Sequence, residues 1–247
     1  MTETPTPGSI ARMPPTIGPQ ARYRDRLLQE VLSHRPSQVL EVGSGSGAFL
    51  RSAASSGPKL QGIDPDASSV RKLREEGFDV QVGVAESLPF EAESIDLVVF
   101  SYTAHHIANW PAALSEALRV SRRGVVVLDP WYDERIPSQA TALAFDRWCK
   151  RIDRANGMVH NDCLDAQALL GADTLARPGL RVKYEYMLAL SELGVPALEE
   201  AATAQLAAAQ EPERWRLALA GILNAAQATG YSDDGAILLA ITKYSEA

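Results

Sequence analysis

Two periods alternate along the chain, and the switches between them predict its elements. From Gln20 to His34 the apolar residues Tyr23, Leu27, Leu28, Val31 and Leu32 recur at helical spacing, which predicts an amphipathic helix. Val39-Leu40-Glu41-Val42 then reads as a strand, Gly43-Ser44-Gly45-Ser46-Gly47 as a tight turn, and Phe49, Leu50, Ala53 and Ala54 as the buried face of a second helix. Lys59 to Asp64 forms the next strand, Val70 and Leu73 mark a helix, and Asp79 to Val82 is a short third strand. Ser94 to Ser101 is a near-continuous apolar run, as expected of a central parallel strand covered on both faces. A helix from Trp110 carries Leu114, Ala117 and Leu118 on one side and leads to a fifth strand, Val125 to Asp129.

Beyond Asp129 the rhythm changes. Phe145, Trp148, Cys149 and Ile152 share one helical face, the polar stretch Asn156 to Asp162 follows, and a second helix spans Leu164 to Leu170. Arg181 to Leu190 reads as the sixth strand. Helices over Pro196 to Ala209 and Glu213 to Ala228 come next, and a last strand covers Ala236 to Thr242. Alternating strands and helices predict an α/β doubly wound, Rossmann-like sheet. We expect a single domain over 20–247 with a helical cap inserted at about 136–178. Residues 1–19 hold Pro5, Pro7, Pro14, Pro15 and Pro19 without apolar periodicity and are expected to be a flexible leader.

Composition narrows the classes. The 247 residues suffice for one core, and 46% hydrophobic with 22% charged residues is ordinary for a globular chain. A net charge of −7 argues against a broad basic surface, so no nucleic-acid partner is expected. There is no basic-then-apolar signal segment and no apolar run long enough to span a bilayer, so we expect a cytoplasmic protein without a membrane partner. Two cysteines, Cys149 and Cys163, show neither metal spacing nor a disulfide framework and read as buried or incidental thiols. The four histidines likewise lack metal-ligand spacing, so no metal is expected.

The glycine turn is the candidate cofactor site. Three glycines at alternate positions allow positive φ and close approach of a ligand to the backbone. The following helix start offers unpaired N–H groups. Read as Gly43-x-Gly45-x-x-Ala48, the turn also fits a relaxed dinucleotide fingerprint. An acid two positions before the first glycine shifts the reading. Glu41-x-Gly43-x-Gly45-x-Gly47 resembles the first motif of the class I S-adenosylmethionine-dependent methyltransferases, and Gly83 to Phe90, ending Leu88-Pro89-Phe90, is similar to a second motif of that family. A carboxylate suits an ammonium and a sulfonium, whereas beside a pyrophosphate it would repel.

The resemblance implies a seven-stranded sheet whose last strand inserts antiparallel between the fifth and sixth. It implies S-adenosylmethionine as cofactor and a small-molecule methyl acceptor, as in quinone and natural-product methyltransferases. Glu41 is expected at the methionine end and Asp64 at the ribose, with Ser44 and Pro65 beside them. Ala85 and Glu86 are expected at the adenine, because Val84 stands where the family places an acid. The leading helix makes Tyr23 a candidate lid residue, or else a core aromatic. Asp64 has a second reading as a helix N-cap.

Strand ends in open α/β sheets carry the ligand site. Ser101, Tyr102, His105 and His106 leave the fourth strand there, and Trp131 and Tyr132 leave the fifth. His105, His106 and His160 are candidate proton acceptors. His106 has an alternative cofactor-side role, and Tyr102, His105, Trp131, Tyr132 and His160 are candidate acceptor contacts. Trp131 packed under the next helix, with Asp129 capping it, is the competing reading. Two further functions remain open on the same plan: an NAD-dependent oxidoreductase, and a protein that binds S-adenosylmethionine without turnover.

Overall fold

Strand side chains alternate between two faces, and here each face meets its own helices. The computed structural model describes residues 10–12, 19–175, 177–188 and 191–244. Its elements in chain order are β1 (Ile10–Arg12), α1 (Pro19–Ser33), β2 (Gln38–Val42), α2 (Ala48–Ala53), β3 (Lys59–Asp64), α3 (Ala67–Glu75) and β4 (Asp79–Val82). Then come β5 (Ile95–Ser101), a 3-10 turn at Ala104–His106, α4 (Trp110–Val120), β6 (Ser121–Trp131), α5 (Pro137–Ala155), α6 (Ala166–Leu175) and β7 (Leu180–Leu188). The chain continues through β8 (Glu192–Leu193), α7 (Val195–Ala208), α8 (Pro212–Thr229), β9 (Tyr231–Ser232) and β10 (Gly235–Lys243).

The main sheet runs β4-β3-β2-β5-β6-β10-β7, with β10 antiparallel to both β6 and β7. This is the seven-stranded arrangement the resemblance implies. An eighth strand extends its edge, because β1 pairs parallel with β7 from Ile10 against Tyr186 to Arg12 against Leu188. Those three residues were expected in the leader; they form an edge strand instead, and Pro19 opens α1, where proline costs nothing at a first helical turn. The remaining leader residues, 1–9 and 13–18, lie outside the described ones.

Period-two patterning divides the core. Val98 and Phe100 of β5, Val125 and Val127 of β6, and Ile237 and Leu239 of β10 pack toward α4 and α6. Their neighbours Leu97 and Val99, Val126 and Leu128, and Leu238 and Ala240 pack toward α1 and α2. Burial on both faces explains why these strands read as continuous apolar runs. The expected cap is divided between two places. Phe145, Trp148 and Ile152 of α5 share a cluster with Leu198 and Leu206 of α7 and Trp215 and Leu219 of α8. By contrast, α6 lies on α4, where Trp110 Nε1 donates to the Leu169 carbonyl at 2.7 Å. Among the described residues no helix is long and apolar enough to cross a membrane.

Candidate functional site

A cleft of about 840 Å³ opens at the carboxyl ends of β2, β3, β5 and β6. The glycine turn forms its floor. Gly43, Gly45 and Gly47 all take positive φ, of 77°, 45° and 77°. A Cβ at Gly43 would lie 2.1 Å from Thr103 Cγ2, and one at Gly47 would lie 2.3 Å from Leu73 Cδ2. These two are glycines for packing. Nothing lies within 4 Å of a Cβ at Gly45, which faces open space in the cleft wall.

The turn's N–H groups are mostly engaged within the protein. Gly43 and Ser44 donate to the Ile63 carbonyl at 2.7 and 3.1 Å, and Gly47 donates to the Ser44 carbonyl at 2.6 Å. Gly45 donates to Asp64 Oδ2 at 2.7 Å. The sequence reading offered these groups to a ligand's oxygens; the structure uses them to hold the turn, and α2 behind it is only six residues long. A pyrophosphate would find few donors here.

What the floor does offer is a carboxylate. Glu41 is 2% exposed, and its Oε2 has no hydrogen-bond partner. Burial first, then the nearby Asp64 charge, raise its carboxyl well above the ordinary range, while a backbone hydrogen bond from Leu50 acts the other way. A buried orphan acceptor of this kind is costly until a donor meets it. Asp64 is held by Gly45 and by the Asp66 N–H, which donates to its Oδ1 at 2.8 Å. The N-cap of α3 is Asp66, not Asp64, since Asp66 accepts from the Ser68 and Ser69 N–H groups. Asp64 therefore keeps a fixed carboxylate on the cleft wall, next to Pro65.

Ser44, Ala85, Glu86, Ser101, Tyr102, His105 and His106 also line the cleft. Tyr102 sits at φ 55°, a strained value for an aromatic residue, with its hydroxyl buried and unpartnered. Tyr23 does not line the cleft. It is fully buried in the core, and its hydroxyl donates to the Asp234 carbonyl at 3.2 Å. The same helix instead presents Gln20 and Arg24, one turn apart, which the reading of its apolar face passed over. Arg24 forms no ion pair among the described residues. Asp234 completes that wall, and burial followed by the Asp233 charge pushes its carboxyl up to about 7.

The second aromatic pair is not at the cleft. Trp131 packs on Tyr186 of β7 with ring centroids 4.3 Å apart, and Tyr132 is drawn inside toward Asp146 and Tyr231. Neither Trp131 nor Tyr132 is among the residues that line the cleft. Asp129 caps no helix; its Oδ1 lies 2.8 Å from His105 Nδ1. Cys149 and Cys163 are both pushed up to about 12 by burial, which keeps them as thiols.

Sequence spacing gave no reason to group the histidines, yet the fold gathers three of the four. His105 and His106 come from the 3-10 turn and His160 from the α5–α6 connector, with ring centroids 4.2 to 5.3 Å apart. The connector is fastened here, since Asn161 N–H donates to the His105 carbonyl at 2.7 Å and its side chain to the Ile107 carbonyl at 2.9 Å. Burial and the two neighbouring imidazoles lower His106 to about 4, so it is neutral at pH 7.

Residues 40–128 match the family described as methyltransferase domain. Over 106 residues the chain is 31% identical to malonyl-[acyl-carrier protein] O-methyltransferase of Serratia marcescens, a stretch spanning 42% of either chain. It is 23% identical to the ubiquinone/menaquinone biosynthesis C-methyltransferase UbiE of Campylobacter jejuni over 196 residues, 74% of this chain and 82% of that one. The crystal structure of YcgJ from Bacillus subtilis superposes with a TM-score of 0.64 at 18% identity, covering 92% of this chain and all of that one. The match begins in the β2 strand that carries Glu41 and ends in β6, so it contains the whole cleft floor and the strands that build it. Residues 40–128 of the chain thus carry a methyltransferase domain, set in a sheet whose strand order is that of the Rossmann-like methyltransferase fold.

Proposed function

We propose that the chain transfers a methyl group from S-adenosylmethionine to an oxygen, nitrogen or carbon nucleophile of a small molecule in the cytoplasm. The observation that carries this reading is the orphaned Glu41 carboxylate in the glycine turn, a fit for an ammonium and a misfit for a phosphate. Arg24, across the same cleft, suits the carboxylate of the amino-acid end. Asp64 suits the ribose hydroxyls, and the loop at Val84, Ala85 and Glu86 the adenine. When bound, S-adenosylmethionine supplies an electrophilic methyl on a sulfonium, so the protein's task is alignment and exclusion of water.

The acceptor belongs on the histidine side of the cleft. His105, His106 and Val159 line that end, and the connector carrying Val159 and His160 serves as the cap over it. A turnover assay following S-adenosylhomocysteine release against a panel of phenols, thiols, amines and quinols tests the reading. Methylation of a panel member, lost in Glu41→Gln, supports it. Cofactor binding without any turnover would favour a binding protein, and hydride transfer with NAD would favour an oxidoreductase.

A further inference from the structure

Each imidazole of the histidine cluster is turned so that Nδ1 faces an acceptor. His105 Nδ1 lies 2.8 Å from Asp129 Oδ1, His160 Nδ1 lies 2.7 Å from Asp153 Oδ2, and His106 Nδ1 lies 3.3 Å from the Val159 carbonyl. A carboxylate or carbonyl cannot donate, so all three Nδ1 atoms carry the proton. In a neutral ring so held, Nε2 is the nitrogen left to act as a ligand. One ligand nitrogen from each ring lies within 4.8 Å of the others. Two carboxylates and one carbonyl behind three imidazoles is the outer shell that orients histidines toward a metal.

We infer that His105, His106 and His160 bind one divalent transition-metal ion, zinc by preference, with an open position toward the cleft. Three imidazoles and an exchangeable fourth ligand are the donor set of catalytic zinc sites. Bound at about 2.0–2.1 Å in tetrahedral geometry, the nitrogens would stand roughly 3.3 Å apart, so the rings must draw closer than they stand here. His106 on the short turn and His160 on the connector are less buried than His105. Asp129, wholly buried, is a positioning residue that fixes the His105 ring.

The role of the ion rests on the methyl-transfer reading. It would hold an acceptor through a hydroxyl or thiol and lower the pKa of that group, as zinc does for bound water. The proton passes to solvent. The oxygen or sulfur lone pair then forms the bond to the methyl carbon, while the carbon–sulfur bond of the sulfonium breaks and its electron pair stays on the departing sulfide. The site thus selects acceptors that present an ionisable hydroxyl or thiol.

The test begins with the full chain stripped by a chelator and titrated with Zn²⁺ in competition with a chromophoric chelator. One equivalent should bind, at least 100-fold more weakly in His106→Ala and in His160→Ala, and about 10–100-fold more weakly in Asp153→Asn. His34→Gln, at the remaining histidine, should bind as the parent does. His106 is exposed, so its variant tests the site without disturbing the core. Co²⁺ in place of Zn²⁺ should give an intense low-symmetry visible spectrum, and 2-mercaptoethanol should add a sulfur-to-cobalt band by entering the open position. Failure to bind one equivalent, or binding that survives both histidine variants, overturns the site, and a cobalt spectrum indifferent to thiol overturns the open position. Titration of the metal-free protein with S-adenosylmethionine separates the two readings. Cofactor binding without metal uptake removes the ion site alone, and metal uptake without cofactor binding removes the methyl-transfer reading alone.

Discussion

Replacing Glu41 by Gln keeps the side chain's shape and removes its charge, and the structure predicts opposite effects on folding and on binding. In the free protein the carboxyl is buried beside Asp64 with one oxygen unpartnered, so its charged form is disfavoured. Its folded pKa stands above the ordinary 4.5, which means that the folded chain holds this proton more tightly than the unfolded one. Stability from this group is therefore full below 4.5 and falls as pH rises toward the raised value. Glu41→Gln should melt no lower than the parent at neutral pH, with the difference growing as pH rises through that window. Binding should go the other way. A charge-assisted hydrogen bond to the cofactor's ammonium contributes about 1.5–3 kcal/mol, so its loss weakens S-adenosylmethionine roughly 10- to 150-fold. The parent should also release a proton on binding, seen as a calorimetric enthalpy that varies with the buffer's ionisation heat, and the variant should not. A variant that binds the cofactor within twofold of the parent would refute the assignment of Glu41.

Three further predictions use the same structure. Gly45→Ala places a methyl in open cleft at a positive φ, so it should fold with a loss of about 1–2 kcal/mol and lose cofactor affinity; Gly47→Ala, driven into Leu73, should melt well below it. Thermal melts and titrations of the pair check this. Asp234, raised to about 7 from 3.8, costs stability as pH rises between those values, at most about 4 kcal/mol. Asp234→Asn should therefore gain on the parent in denaturant melts from pH 4 to 7, and a gap that stays constant would contradict the burial argument. Asp96 accepts from the Ser37 and Gln38 N–H groups and pairs with Arg122 at 2.6 Å, tying β5 to the starts of β2 and β6. Although burial opposes it, these partners hold its pKa below 3.8, so its contribution is present above that value and is lost as pH falls through the lowered one. Asp96→Ala should cost about 2–4 kcal/mol in urea unfolding at pH 7.

The fold was legible because its rules are local. The β5 run reads as a central strand since both faces are covered, and Gly43, Gly45 and Gly47 are required by backbone angles that only glycine takes freely. The strand-end carboxylate Asp64 was legible for the same reason, as a residue fixed by its place after β3. What escaped depends on contacts between distant segments. Nothing in the sequence joins His160 to His105 and His106, because 53 residues and three elements lie between His160 and His106. A helix cap was one of the readings open for Asp129, whereas β6 runs on to Trp131 and its carboxylate lies against His105. Tyr23 and Arg24 are neighbours on α1, and helix rotation alone decided that the first enters the core and the second the cleft.

The measurement that bears most directly on the central claim is an isothermal titration of the purified chain with S-adenosylmethionine, S-adenosylhomocysteine and NAD in turn. A cleft with a buried carboxylate and turn N–H groups already engaged predicts micromolar binding of the first two at one site per chain, with no heat from NAD. Binding of NAD, with none of the other two, would contradict it.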